Sequence, residues 1–241
     1  MNQILQSCTQ FFQDWGQQLY DTFIDDSRYM WLVDGLVNTL VITMGALILG
    51  VVLGTIIAVV KYFSEDRKSL RFLGKICDIY VTVIRGIPVV VLLLIFYFVI
   101  LASYDNGVVV GIITFGINSA AYMAELIRSG INAVDAGQME AGRSLGMSKL
   151  QAMRVVIFPQ AIKNILPAIG NEMIALLKET AVAGYVAVED LTRAGNMIRN
   201  NTYDAFNPLI AVALVYLLLV VLLTKGLSKL EKRLGKYDRR K

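Results

Sequence analysis

Long uncharged, mostly apolar runs punctuated by single charges set the pattern of this chain. Residues 35–60 carry no charge between Asp34 and Lys61, residues 86–104 none between Arg85 and Asp105, and residues 106–124 none between Asp105 and Glu125. A further uncharged run, 205–224, precedes the C-terminal tail. Each approaches or exceeds the roughly 20 residues a helix needs to cross a bilayer. Residues 165–188 are as long and apolar but contain Glu172, Lys178 and Glu179. They count as a broken span, with Pro167 in the first helical turn and the polar side chains turned toward protein. The pattern predicts an all-α membrane protein with five transmembrane helices.

Ahead of the first span, Ile4, Leu5, Phe11, Phe12, Trp15, Leu19, Tyr20, Phe23 and Ile24 recur as on an amphipathic helix. This stretch holds one basic residue, Arg28, and no continuous apolar core, so it does not read as a secretory signal. Lying along the outer membrane interface and packing against the spans are both compatible with it. The division expected is an extracytoplasmic amphipathic segment at 1–34, a membrane domain at 35–230 with a long loop at 128–165, and a basic tail at 231–241.

Composition agrees: of 241 residues, 56% are hydrophobic and only 17% charged, against about a quarter charged in a soluble domain. The net charge of +4 raises the question of nucleic acid, and its distribution answers it. Segments 61–75 and 128–165 and the tail from 225 carry 5, 5 and 8 of the 23 basic residues. All three fall on one side of a five-span chain, so by charge bias the N-terminus lies outside and the C-terminus in the cytoplasm. Membrane lipid, not nucleic acid, explains the excess.

Catalytic vocabulary is thin. The absence of histidine removes the usual general base and the commonest metal ligand. Cys8 and Cys77 stand alone, and neither a phosphate-binding Gly-rich loop nor a dinucleotide fingerprint occurs. No catalytic residue, metal site or cofactor is expected in the chain, and any ATP with its Mg would be bound by a partner.

The loop at 128–165 is too patterned for a slack linker. Short apolar faces end at Gly146, which suits a helix C-cap, and Ser148 suits the next N-cap. Two short helices joined at a glycine are expected, free to pack on the chain itself or to dock a partner. Glu140-Ala141-Gly142, three residues, Gly146, nine residues, then Val156-Ile157-Phe158-Pro159 resembles the Glu-Ala-Ala loop of bacterial ATP-binding-cassette importer permeases. Arg85-Gly86-Ile87-Pro88, Ala120-Ala121-Tyr122-Met123-Ala124-Glu125, Gly170-Asn171 and Leu177-Lys178-Glu179-Thr180 are similar to the polar amino acid subfamily, in which serine is frequent where Ala181 stands.

This resemblance covers about residues 35–230 and implies the type I importer fold in a bacterial inner membrane. The partners it implies are two cytoplasmic ATPase subunits, a second permease copy or paralogue, and an extracellular solute-binding protein. A coupling helix at about 139–145 would rest on the ATPase, with Glu140 giving a polar contact, Ala141 and Gly142 close approach, Gly146 the bend, and Pro159 closing the motif.

Ionisable groups inside a span cost roughly 3 kcal/mol each and ask for a partner or a wet cavity. Thr114, Asn118, Tyr122 and Glu125 share one helical stripe; Asn171 with Lys178, and Glu172 with Glu179, form adjacent stripes on the broken span. Facing one another, they would line a path for a polar amino acid. Glu179 would meet an ammonium or guanidinium group, and Asn118 with Lys178 a carboxylate. Tyr122 would line the same path, and Glu125 and Glu172 would serve a gate or a subunit interface. Helix-to-helix pairing is the competing role for all of them. Arg85 is expected at the inner interface, snorkelling to headgroups. The Gly50-x-x-x-Gly54 motif permits close helix contact. An ion-gradient-driven secondary transporter and a non-transporting sensor or scaffold subunit are the other classes this inventory allows.

Overall fold

The computed structural model describes the backbone of residues 2–66 and 68–238. The side chains of residues 1–5, 7–9, 11, 65–67 and 235–241, with Ile4, Leu5, Phe11 and the end of the basic tail, lie outside the described residues. Among the described residues there is helix throughout and no strand. Four helical stretches are long and apolar enough to cross a membrane: Tyr29–Ser64, Gly107–Asn132, Lys149–Val186 and Phe206–Leu234. A bent pair, Lys68–Gly86 with Val89–Ile100, is apolar enough to count as a fifth if its two halves make one span.

The N-terminal helix α1 (Asn2–Leu19) leads through a wide turn at Tyr20–Ile24 into α2 (Tyr29–Asp66). At 38 residues α2 measures about 57 Å, far longer than the hydrocarbon core. Between α1 and α2, Asp26 and Ser27 both adopt positive φ, 52° and 53°. Arg28, 7% exposed, holds that turn by donating to the Asp21 carbonyl at 2.7 Å and to the Asp26 carboxylate at 2.6 Å.

The second span departs most from expectation. Instead of one helix over 86–104, α3 (Arg71–Gly86) and α4 (Val89–Ile95, widening through Phe96–Ile100) meet at 106°. Pro88 has no N–H to give, and its ring pushes Ile87 into extended backbone (φ −102°, ψ 131°). Twelve residues after the break reach only about 18 Å, so the crossing needs α3 as well.

Helix α5 (Gly107–Asn132) starts at Asn106, whose side chain accepts from the Val109 N–H. It packs closely along α2. A Cβ built on Gly50 would lie 2.7 Å from Ser119 Oγ, one on Gly54 would strike Met123 Cβ, and one on Gly116 would lie 2.6 Å from Leu49. The small residues of both helices therefore set their separation.

Two short helices, α6 (Ala136–Ser144) and α7 (Lys149–Ala152), lead into α8 (Phe158–Glu179), which begins ahead of the expected 165. Pro159 occupies its first turn, while Pro167 lies in its interior rather than at its start. After a tight turn at Thr180–Val186 come α9 (Leu191–Thr202) and α10 (Phe206–Asp238). Helix α10 runs through the boundary expected at 230. The largest buried cluster, with Ile42, Leu93, Phe115 and Leu176, joins α2, α4, α5 and α8.

Candidate functional site: an intramembrane polar cluster and a capped helical hairpin

Of the stripe on α5, Asn118 reaches α8, joined there by its neighbour Ser119. Asn118, 3% exposed, donates from Nδ2 to Glu179 Oε2 at 3.4 Å, and Ser119 Oγ reaches Glu172 Oε1 at 3.4 Å. Tyr122 lies under the Arg85 guanidinium, 5.1 Å from its ring centroid. Thr114 is turned back onto its own helix, donating to the Val110 carbonyl. Asn118, Ser119, Glu172 and Glu179 thus lie between two packed helices.

The geometry refines one expectation and corrects another. Arg85 sits exposed at the α3–α4 bend, with its guanidinium stacked on an aromatic face. Lys178 is exposed with Asn171, one face away from Asn118, because consecutive residues point about 100° apart around a helix. Asn118 and Lys178, expected to meet one substrate carboxylate together, thus lie on different faces, and Asn118 bonds Glu179.

Glu125 is not at the end of its helix, since α5 continues to Asn132. It accepts from Lys61 Nζ at 3.0 Å and pairs with Arg128 at 2.7 Å, and Lys61 also reaches Asp78 at 2.9 Å. This network ties α2, α3 and α5. Sequence reasoning missed both Lys61 and Asp78 in it: Lys61 read only as the boundary of the first uncharged run, Asp78 entered no reading, and their meeting depends on the tertiary path of α3.

Toward the other end, Asp190 is fully buried and caps α9, accepting from the Thr192 and Arg193 N–H groups at 3.1 Å each. Burial pushes its carboxyl above the ordinary range, against the lowering effect of those bonds. Thr39 of α2 accepts from the Leu191 N–H at 3.0 Å, and Arg193 donates to the Gly184 carbonyl at 2.9 Å. An open cleft of about 440 Å³ lies here, lined by Ala181, Tyr185, Arg193, Asn196 and Asn200 among others. Thr39 and Asp190 escaped the sequence analysis, since a buried Asp at a cap looks like any loop aspartate.

The hairpin of α6 and α7 is built by local rules. Asp135 caps α6 by accepting from the Gly137 N–H at 2.6 Å, so the helix starts at 136 rather than 139. It ends in a Schellman turn: Met147 N–H donates to Gly142 O, Gly146 N–H to Arg143 O, and Gly146 takes φ +85°. Ser148 and Gln151 then form a reciprocal capping box on α7. Gly142 is buried, and a Cβ there would sit 3.1 Å from Ala152 Cβ, so its closeness is spent inside the hairpin. Glu140, Ala141, Leu145, Leu150 and Pro159 remain exposed, with Leu145 at 80%.

Apolar spans around an enclosed polar cluster, with an ordered helical hairpin beyond them, define a multi-pass membrane protein of transport type. The chain belongs to the family of binding-protein-dependent transport system inner membrane components, whose model matches residues 34–236. It is 36% identical over 211 residues to the arginine transport system permease protein ArtQ of Bacillus subtilis, covering 86% of this chain and 94% of ArtQ. A Rickettsia bellii permease named GlnP, after a glutamine transport system, is 37% identical over 212 residues with the same coverage. Among solved structures, an amino acid ABC transporter crystallised with histidines matches with a TM-score of 0.79 at 42% identity, over 88% of this chain and 98% of that one. A chain of the methionine transporter MetNI shares the fold, with a TM-score of 0.74 at 23% identity over 86% of this chain and 97% of that one. The chain is thus an inner-membrane permease subunit of the type I ABC importer fold, not an enzyme, and ATP hydrolysis belongs to a partner.

Proposed function

We propose that this subunit carries a polar L-amino acid into the cell, driven by ATP hydrolysis on two ATPase subunits that engage the α6–α7 hairpin. The observation that carries the reading is the exposed surface of Glu140, Ala141 and Leu145 on a hairpin whose shape is fixed by its own caps. A rigid projection transmits a push; a slack loop absorbs it. Basic residues cluster on the segments bearing that hairpin, which supports placing it and the C-terminus in the cytoplasm and the N-terminus outside.

In this reading Lys178 lines the pathway directly, and Asn118 and Glu179, between α5 and α8, with Tyr122 beside Arg85, join it when those helices part. An exposed ammonium on a membrane-spanning face is too costly to leave in lipid, so the Lys178 and Asn171 face of α8 turns toward a second permease copy or paralogue and the path between them. Arg85, Glu125 and Glu172 hold the helices that open and close it. Relatives named for arginine and glutamine transport and a neighbour described as an amino acid transporter support the substrate class. An extracellular solute-binding protein delivers the substrate, and ATP with Mg binds the ATPases.

The test is reconstitution of the permease with its ATPase in vesicles, with uptake and hydrolysis measured together. Glu140→Lys should leave basal hydrolysis running while uptake falls roughly tenfold or more, the scale of a typical coupling free energy. Uptake that continues without ATP, on an ion gradient alone, overturns the proposal.

A further inference from the structure

We propose that α1 and the turn after it form a membrane-surface anchor, seated in the interfacial layer of the bilayer at the end of the bundle opposite the α6–α7 hairpin. This segment precedes the region matched by the family model, which begins at residue 34.

Three observations locate it. Trp15 donates from Nε1 to Asn207 Oδ1 at 3.2 Å, and Thr22 Oγ donates to Asp204 Oδ2 at 3.0 Å. Asn207 in turn donates to Asp204 at 2.6 Å. These bonds pin one edge of the segment to the start of α10, which is one end of the span Phe206–Leu234. The helix is therefore held at the depth where a span leaves the hydrocarbon.

The pinned edge leaves two faces outside, a polar one with Gln13, Asp14, Gln17 and Gln18 and an aromatic and apolar one. Phe12 is 65% exposed, Trp15 41%, Tyr20 56% and Ile24 48%. Phe12, Leu19 and Phe23 follow one helical stripe, with Trp15 along its edge toward α10. Beyond the polar turn at Asp25, Asp26 and Ser27, exposed apolar side chains resume at Tyr29, Met30, Val33 and Val37 on the first span. An apolar face held beside the ends of two spans commits the occupant to lipid, and Trp and Tyr are the side chains that settle at headgroup level. Residues 2–27 contain no lysine or arginine, so the seat depends on apolar insertion and not on lipid charge.

The chain has two tryptophans, Trp15 and Trp31, so one conservative change leaves a single reporter in this subunit, and the same complex with Trp15→Phe added supplies the background of the other subunits to subtract. Trp31→Phe permease, purified in its transporter complex, is placed in phosphatidylcholine vesicles containing lipids brominated high on the acyl chain. Trp15 emission should be quenched by the brominated lipid, resist aqueous iodide, and respond identically when phosphatidylglycerol is added. Quenching by iodide alone puts the helix in water and overturns the proposal. Shielding from both quenchers puts it under protein, a second copy or the binding protein, and also overturns it. Should Trp31→Phe fold poorly, the difference between the parent protein and Trp15→Phe reports the same quantity.

Discussion

A few side chains hold backbone that would not otherwise keep its shape, and their substitution is informative. Gly146 at φ +85° carries the Schellman turn, and a Cβ there meets no neighbour, so Gly146→Ala tests conformation alone. The left-handed penalty is about 1 kcal/mol, and weaker capture of the ATPase in a pull-down is the expected result. At Asp190 the cap outweighs the charge: Asp190→Asn should retain the melting temperature, whereas Asp190→Ala should lower stability by about 1 kcal/mol or more in thermal unfolding. Asp204 behaves oppositely to Asp190. Burial raises its carboxyl, but hydrogen bonds from Asn207, Thr22 and the Phe206 N–H outweigh burial and hold it below the ordinary 3.8. A carboxyl depressed in the fold stabilises the protein above its unfolded pKa and loses that contribution as pH falls through the folded value. Thermal melts should therefore weaken from about pH 4 downward, and Asp204→Asn should remove that component.

Elements divide into those a bilayer dictates and those that tertiary contact decides. Uncharged runs near 20 residues exposed the crossings because hydrocarbon tolerates few charges, and the stripe on α5 brought Asn118 to α8 while Tyr122 meets Arg85 of α3 instead. The capped hairpin was equally legible, since Gly146 and Ser148 act on neighbours a few residues away. The α3–α4 bend was not, although Pro88 was in plain view. Counting apolar residues is blind to direction, and the residue before a proline can end a helix or merely begin one. The Lys61–Glu125–Asp78 network was invisible for a different reason: 64 residues separate Lys61 from Glu125, and only the crossing of α2 and α5 brings them together. Gly54→Leu tests that crossing. It would drive a side chain into Met123 and Ala120, and the expected outcome is loss of assembled transporter on size-exclusion chromatography.

At the scale of the molecule, helix α2 is in touch with both ends. Gly35 lies against the Asp190 carbonyl and Thr39 against the Leu191 N–H, while 27 residues further on, Tyr62 lies under Lys149 at the head of the hairpin, 5.2 Å from ring centroid to ammonium. That distance is about 40 Å of unbroken helix. Such a rod cannot shorten, so a tilt imposed at the hairpin must reappear as a sideways sweep of the cleft beside Arg193. The small residues at 50, 54 and 116 then act as the fulcrum, where the rod is gripped most closely. Leverage of this kind has a mechanical signature: a proline placed at Val52 would leave both ends seated yet let each move without the other.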